Sequence, residues 1–392
     1  MDGGTHEQSR KGIHGLVGLA HIAMRVTADS GPQRPLAGRL VFVAAVLVSL
    51  VAGIAGGLVR AGVSLPAGSA WLKQAVAGHA FLMICTFMGT VIGIERAVAL
   101  KHAASFAGPL ASGIAGIAML AGAQTSAAWL VAASALAFVA VNAAVVRRQR
   151  AAHTLLLLLG ALAWLTGSSL YALGVQSGAV VPWWFAFLVL TIAAERLEMT
   201  RLTRRREGAS RLLYLILSAM LLGAFLSALS GLWGGVLYGA SLVLLAAWLL
   251  TYDIARRTVR AHGLSRYMAI CLLLGYAWLL VAGATWMATS CGLPFRDVAL
   301  HGLGLGFVFS MMLGHAPVIL PAIARVKVLF GWAYYVPLVL LHVSLVVRLA
   351  VGRLDFSAVT TGAAGNALAI VVFAATVAGS AIAWRLNEKR MS

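Results

Sequence analysis

The sequence has 392 residues, of which 61% are hydrophobic, 10% are charged and 42 are glycine. A water-soluble protein of this composition would expose larger apolar patches than soluble monomers tolerate. The composition therefore excludes a soluble fold and predicts an all-α integral membrane protein. The net charge of +19 at pH 7 does not indicate a nucleic-acid partner, since the longest polar segment, "TRLTRRREGASR", is too short to form a binding module.

Apolar runs long enough to cross about 30 Å of hydrocarbon predict twelve transmembrane helices. In chain order they cover about 38–60, 75–98, 105–123, 127–146, 153–174, 181–200, 212–230, 233–252, 267–288, 297–320, 330–349 and 358–384. We expect residues 1–37 to form a poorly ordered cytoplasmic segment, residues 38–384 the transmembrane domain, and residues 385–392 a cytoplasmic tail.

The basic residues are unequally divided between the two sides of these spans. Of the 30 Lys and Arg residues, 25 fall in the termini and in the loops on the same side as the termini. Because Lys and Arg accumulate in cytoplasmic loops, both termini are predicted to be cytoplasmic. The positive net charge is thus explained by topology.

Three similarities suggest a repeat of a four-helix unit. "IGIERAVAL" in span two matches "IAAERLEMT" in span six, which puts Glu95 and Glu195 at the same depth. "LLLLLGALAWLTG" in span five matches "ICLLLGYAWLLVAG" in span nine, and "AVAGHAF" in span two matches "DVALHGL" in span ten. Three four-helix pseudo-repeats would make spans two, six and ten equivalent. Chance similarity between apolar helices is the alternative.

Histidines inside spans are the strongest functional signal, because ionisable groups at membrane depth usually face a bundle interior or a cavity. His79 and His301 lie just inside spans two and ten, at nearly the same depth. At 100° per residue, His79 shares a helix face with Met83, Thr86, Thr90 and Gly93. By the same count, His301 shares a face with Gly304, Val308, Met312 and His315.

Two imidazoles at equal depth, flanked by glycine rather than by carboxylates, suit a haem held axially from both faces. Copper is the competing ligand, because it would accept His79 and His301 together with Met83, Met312 or His342. A third interpretation is that each histidine only forms a hydrogen bond to a neighbouring helix, and His342 has no polar neighbour at helical spacing.

A second group of polar residues is predicted at the other end of the same spans. Glu95, Glu195 and His315 could form a proton or ion path, and Pro317 would free a backbone carbonyl beside His315. The alternative is a kink at the proline, with Arg96 and Arg196 anchoring the helix ends at the interface.

The segments "GHAFLMICTFMGTVIGIERAVAL" and "HGLGLGFVFSMMLGHAPVILPA" resemble the second and tenth spans of the NnrS family, which comprises twelve-span bacterial membrane proteins tied to haem, copper and nitric-oxide stress. The layout is similar, more remotely, to subunit I of the haem-copper oxidases. The chain departs from the NnrS pattern after each histidine. Spans six and seven contain no histidine, so the ligands of an oxidase copper centre are missing.

The resemblance implies that His79 and His301 are the axial pair of a haem b, with His315 as the second histidine of the tenth span. It further implies a bacterial cytoplasmic-membrane protein with a small gaseous or small-molecule ligand, linked to nitrogen-oxide response or electron transfer. No catalytic residue is assigned. The alternative function is a twelve-helix permease for a small solute or metal ion, in which Glu95, Glu195 and His315 would be coupling residues.

Overall fold

The computed structural model describes residues 36–66, 68–199, 208–324 and 327–391, and within these ranges it contains helices and no strand. Twelve of the described helices are long and apolar enough to cross a membrane, the number predicted from the sequence. The protein is therefore a multi-pass, all-helical membrane protein. The predicted N-terminal segment lies outside the described residues up to residue 35.

The spanning helices are numbered α1 to α12 in chain order. Eight of them are single uninterrupted α-helices: α1 Leu36–Arg60, α4 Gln124–Arg148, α5 Ala152–Ala172, α6 Ser177–Met199, α7 Ala209–Leu226, α8 Gly231–Tyr252, α9 Gly263–Ser290 and α12 Phe356–Met391. Two are preceded by a short 3₁₀ turn: α3 Ala107–Leu120 follows Ala103–Phe106, and α11 Tyr335–Leu349 follows Trp332–Tyr334.

The remaining two helices, α2 and α10, each contain a π-helical segment. Helix α2 consists of Ala70–Ala77, the π segment Phe81–Met88 and Gly89–Leu100. Helix α10 consists of Arg296–His301, the π segment Gly302–Phe309 and Ser310–Ala324. The sequence analysis treated both spans as regular α-helices, and apolarity alone does not distinguish a π-helix from an α-helix.

Most predicted spans agree with the observed helices to within a few residues, and the largest difference is at the C-terminus. Helix α12 runs through Met391, whereas the sequence predicted a tail from residue 385. The prediction ended the span where charged residues begin. A helix can continue past the last apolar residue because its backbone hydrogen bonds are internal.

Helices α2, α6 and α10 form the interior of the bundle. In α6, 83% of the most apolar window is buried, compared with 11% in α12. Helix α6 contacts the π segments of both α2 and α10, and the last parts of α2 and α10 contact each other. A helix that is hydrophobic on all sides, such as α6 with its "VVPWWFAFLVL" run, is expected to be buried.

Close backbone packing joins α8 to α9. A Cβ atom added at either Gly239 or Gly283 would lie 2.6 Å from the carbonyl oxygen of the other residue. Without a hydrophobic driving force between helices in lipid, such small residues let the helices approach and gain van der Waals contact.

An ion pair joins α6 to the segment after α8. Nε and Nη2 of Arg196 donate to the two carboxylate oxygens of Asp253 at 2.9 and 3.1 Å, and both side chains are almost completely buried. Asp253 also accepts from the backbone N–H of Ala255 at 2.7 Å, at the start of the short helix Ala255–Thr258. A bidentate guanidinium–carboxylate pair fixes geometry as well as charge.

We expect Asp253→Ala to lower the free energy of unfolding by about 3–5 kcal/mol, because it leaves the buried Arg196 guanidinium without its carboxylate. The double variant Arg196→Met/Asp253→Ala should recover part of this loss. Thermal unfolding in detergent measures both effects, with Asp355→Asn at an exposed position as the control. An unchanged midpoint for Asp253→Ala would show that the pair does not stabilise the bundle.

Candidate functional site

His79 and His301 lie next to each other where α2 and α10 meet. Their ring centroids are 6.1 Å apart, and the ring planes are inclined by 28°. The structure therefore brings together the two histidines that the sequence put at equal depth. We refer to this end of the bundle as the histidine end.

The π segments begin one or two residues after the histidines, at Phe81 after His79 and at Gly302 after His301. Phe87 and Phe309, in the two π segments, pack with centroids 6.4 Å apart and planes at 29°. Each phenylalanine is the eighth residue after its histidine, a shared spacing that the sequence analysis did not use. Because π segments occur frequently at functional sites, their position beside both histidines marks this region.

Only part of the α-helical face that the sequence assigned to His79 holds in the structure, because Met83 shares a cavity with His79 and Thr86 and Gly93 do not. Thr86 and Gly93 pack against α3, where their neighbours are Gly116 and Pro109. The residues of α2 that share a cavity with His79 are Ala77, Ala80, Met83, Ile84 and Met88. A face counted at 100° per residue does not hold across a helix with i→i+5 hydrogen bonds. On α10, Gly304 and Val308 line this cavity as predicted.

The cavity beside the histidine pair has a volume of about 920 Å³. Residues of α1, α2, α6, α10, α11 and α12 line it, and most of its wall is apolar. Four of its lining residues are arginines: Arg60, Arg296, Arg348 and Arg353. Among its described lining residues, Asp297 is the one carboxylate. Since guanidinium groups are always charged, the cavity favours an apolar ligand with an anionic group.

Helix α1 holds the imidazole of His79. Nδ1 of His79 lies 2.7 Å from the carbonyl oxygen of Gly53, which can only accept, so Nδ1 is the donor and Nε2 carries the lone pair. Gly57, one turn further along α1, leaves room for the ring, because a Cβ atom there would lie 2.7 Å from Cε1 of His79. The two glycines together set the tautomer and the position of the ring.

A carboxylate holds the imidazole of His301 in the same way. Nδ1 of His301 lies 2.8 Å from Oδ1 of Asp297, one turn earlier on α10. Asp297 in turn accepts from Nε and Nη2 of Arg348 at 3.1 and 2.9 Å. Nη2 of Arg348 is also 3.2 Å from Nε2 of His301. A metal-binding histidine typically has a carbonyl or carboxylate on its second nitrogen, and both histidines meet this condition.

His342 and Met312, which the sequence proposed as further copper ligands, do not line this cavity. Trp278 donates to Nδ1 of His342 at 2.9 Å, and Oγ of Ser310 is 3.4 Å from its Nε2. These partners come from α9 and α10, so helical spacing along α11 could not reveal them. In the part of the chain that the structure describes, no group of three His, Cys, Asp or Glu residues is positioned to hold a metal ion.

The other three candidate residues meet at the opposite end of the central helices. Nη2 of Arg96 donates at 3.2 Å to Glu95 and at 3.2 Å to Glu195, which joins α2 to α6. His315 of α10 is buried, and the last part of its helix contacts the part of α2 that carries Glu95. We call Glu95, Arg96, Glu195 and His315 the carboxylate cluster. The sequence analysis did not identify Asp253, whose signal was a lone acidic residue directly after an apolar span.

Comparison with known proteins gives one match. The model of a family described as "Domain of unknown function (DUF8744)" matches residues 39–382. No curated protein and no solved structure matches the chain. This match includes all or most of each of the twelve spanning helices. The protein therefore belongs to the DUF8744 family.

Proposed function

We propose that this protein is a haem-binding integral membrane protein of the NnrS-like type, with His79 and His301 as the axial ligands of a haem b. The observation that carries the proposal is the pair of imidazoles, 6.1 Å apart, beside a cavity of about 920 Å³. Both rings have a hydrogen-bond partner at Nδ1, so Nε2 would be the ligand atom on each. Nε2 of His301 would exchange its 3.2 Å contact with Nη2 of Arg348 for the metal.

The spacing of the two histidines and the volume of the cavity are compatible with a haem. His79 and His301 would hold the iron of the haem, and their ring centroids are 6.1 Å apart. The cavity volume lies within the range of about 300–1,000 Å³ that is usual for ligand pockets. Arg60, Arg296 and Arg353 would supply positive charge for the two propionate groups of a haem b, since Arg348 is paired with Asp297, and the apolar wall suits the porphyrin.

Several residues of this chain would have separate roles in holding the cofactor. Gly53 and Asp297 keep Nε2 of the two histidines unprotonated, and Arg348 holds Asp297 in place. A haem bound here supplies one-electron redox chemistry, whose potential depends on its axial ligands and on its burial. This supports electron transfer or the response to a nitrogen oxide, as in the NnrS resemblance.

The proposal includes a topology. The distribution of Lys and Arg supports cytoplasmic termini in a bacterial inner membrane. The equal spacing of His79 to Phe87 and of His301 to Phe309 supports equivalence of α2 and α10. The central position of α2, α6 and α10 is what three four-helix pseudo-repeats would produce.

The absorption spectrum of the detergent-purified protein, oxidised and reduced with dithionite, tests the haem proposal. We expect a Soret band and sharp bands in the reduced state, characteristic of bis-histidine haem. Both His79→Ala and His301→Ala should abolish this spectrum, because each removes one axial ligand. His342→Gln is the matched control, since His342 lies outside the cavity and should leave the spectrum unchanged.

A colourless protein after expression with ample haem would contradict the haem proposal. Metal analysis of the same sample would then separate the two alternatives. One copper per chain, lost in His79→Ala, would indicate a copper site at the histidine pair. Absence of both haem and copper would favour the permease.

Gly57 tests whether α1 positions His79, because a Cβ atom added there would lie 2.7 Å from Cε1 of His79. Gly57→Ala should push the imidazole away from the cofactor and weaken haem binding by about 10–100-fold, the usual effect of disturbing a ligand's support. Haem transfer to apomyoglobin measures the change. Gly379→Ala is the control, because nothing lies within 4 Å of its added Cβ. Equal haem retention in the two variants would show that α1 does not position His79.

A further inference from the structure

The carboxylate cluster contains more negative than positive charge. The guanidinium of Arg96 is shared by two carboxylates, since the same Nη2 atom contacts Oε1 of Glu95 and Oε1 of Glu195 at 3.2 Å each. The neighbouring Arg196 forms its own bidentate pair with Asp253. With both glutamates ionised, Glu95, Arg96 and Glu195 therefore carry a net charge of −1 within the central helices.

His315 lies on α10 where the last part of this helix contacts the last part of α2, and one of its ring nitrogens has no partner in the part of the chain that the structure describes. Its Nδ1 lies 2.7 Å from the carbonyl oxygen of Met311, so Nδ1 donates and Nε2 is the acceptor. The side chain is 9% exposed, and Nε2 has no hydrogen-bond partner among the described residues. A buried acceptor without a donor is costly, and a proton at Nε2 would turn it from an acceptor into a donor.

We propose that Glu95, Glu195 and His315 form a proton-binding site, which holds one exchangeable proton. Water would supply the proton from the end of the bundle opposite the histidine end, where the side chains of Glu95 and Glu195 are 25% and 23% exposed. This proton binds a carboxylate oxygen or Nε2 of His315, and either position brings the net charge of the cluster to zero. No electron transfer is involved, and the site does not depend on the proposed haem.

A proton fits this cluster better than a metal ion. The guanidinium of Arg96 lies between the two carboxylates and would repel a cation there. Among the described residues, these side chains are also not positioned as a three-ligand metal group. A proton needs one lone pair and no coordination shell, and the cluster supplies several.

Other ionisable groups lie around the cluster on each neighbouring element, and they enter the charge balance. They are His153 on α5, Arg196 and Glu198 on α6, Asp253 after α8, and Cys271 and Tyr276 on α9. His153 and Glu198 are 3.9 Å apart and form a separate pair. Glu198 is 45% exposed, so it provides a carboxylate of the same helix in contact with water.

Infrared spectroscopy of the full-length protein in lipid nanodiscs tests the proposal while the pH is stepped down and up. We expect a protonated-carboxyl C=O band that appears reversibly on acidification and shifts in D₂O. Glu95→Gln and Glu195→Gln should each remove or shift this band, and His315→Gln should shift its midpoint along the pH axis. Glu198→Gln is the matched control and should leave the band in place.

A second measurement protects the test against variants that fail to fold. The ¹⁵N resonance of His315 Nε2 in the unsubstituted protein reports the same proton, and thermal unfolding is recorded for each variant. Haem-free and haem-loaded samples should both show the band, so failure of the haem proposal would not alter this result. The proposal would be overturned if the His315 resonance does not shift and no protonated-carboxyl band from Glu95 or Glu195 appears over the pH range in which the protein stays folded. Both glutamates would then be permanent ion-pair partners of Arg96.

Discussion

The structure depends on one constraint: a polar side chain among apolar helices is costly unless it finds a partner on another helix or in its own backbone. His79 reaches the backbone of α1, Arg348 of α11 reaches Asp297 of α10, and Arg96 joins α2 to α6. Each of these contacts fixes one pair of helices relative to each other. The polar residues therefore determine the arrangement of a bundle whose apolar surfaces are nearly interchangeable.

The two polar sites share the same supporting helices. Helices α2 and α10 each contribute one residue to the histidine pair. Both also contribute to the carboxylate cluster, and α6 packs against both of them. A change in structure at one site would be transmitted to the other through these two packed helices. The lipid-facing helices α1 and α12 close the cavity from outside, and α1 also supports His79.

The sequence was sufficient to predict the twelve helices and the proximity of His79 to His301. Helix length follows from hydrocarbon thickness, and depth follows from position along a helix, so both can be read without knowledge of packing. The same reasoning put Glu95 and Glu195 at one level, where Arg96 joins them. Depth arguments succeed in a membrane because every span has nearly the same axis.

The rotation of each helix about its own axis, and which helices pack against it, could not be predicted in this way. The face assigned to Thr86 was wrong because the π segment changes the angle between residues, and no pattern of apolar residues reveals an i→i+5 hydrogen bond. Trp278 and Ser310 as partners of His342, and Asp253 as partner of Arg196, depend on which helices pack together. That choice is made by close contacts such as Gly239 with Gly283, which are local and numerous.

The π segments have a consequence for the length of the chain. In a regular α-helix, His79 and Glu95 would be related by a fixed rotation of 100° per residue, and the π segment Phe81–Met88 changes that relation. A deletion within this segment changes the number of residues between His79 and Glu95, whereas a substitution keeps it. Evolution of α2 and α10 is thereby constrained in residue number as well as in residue type.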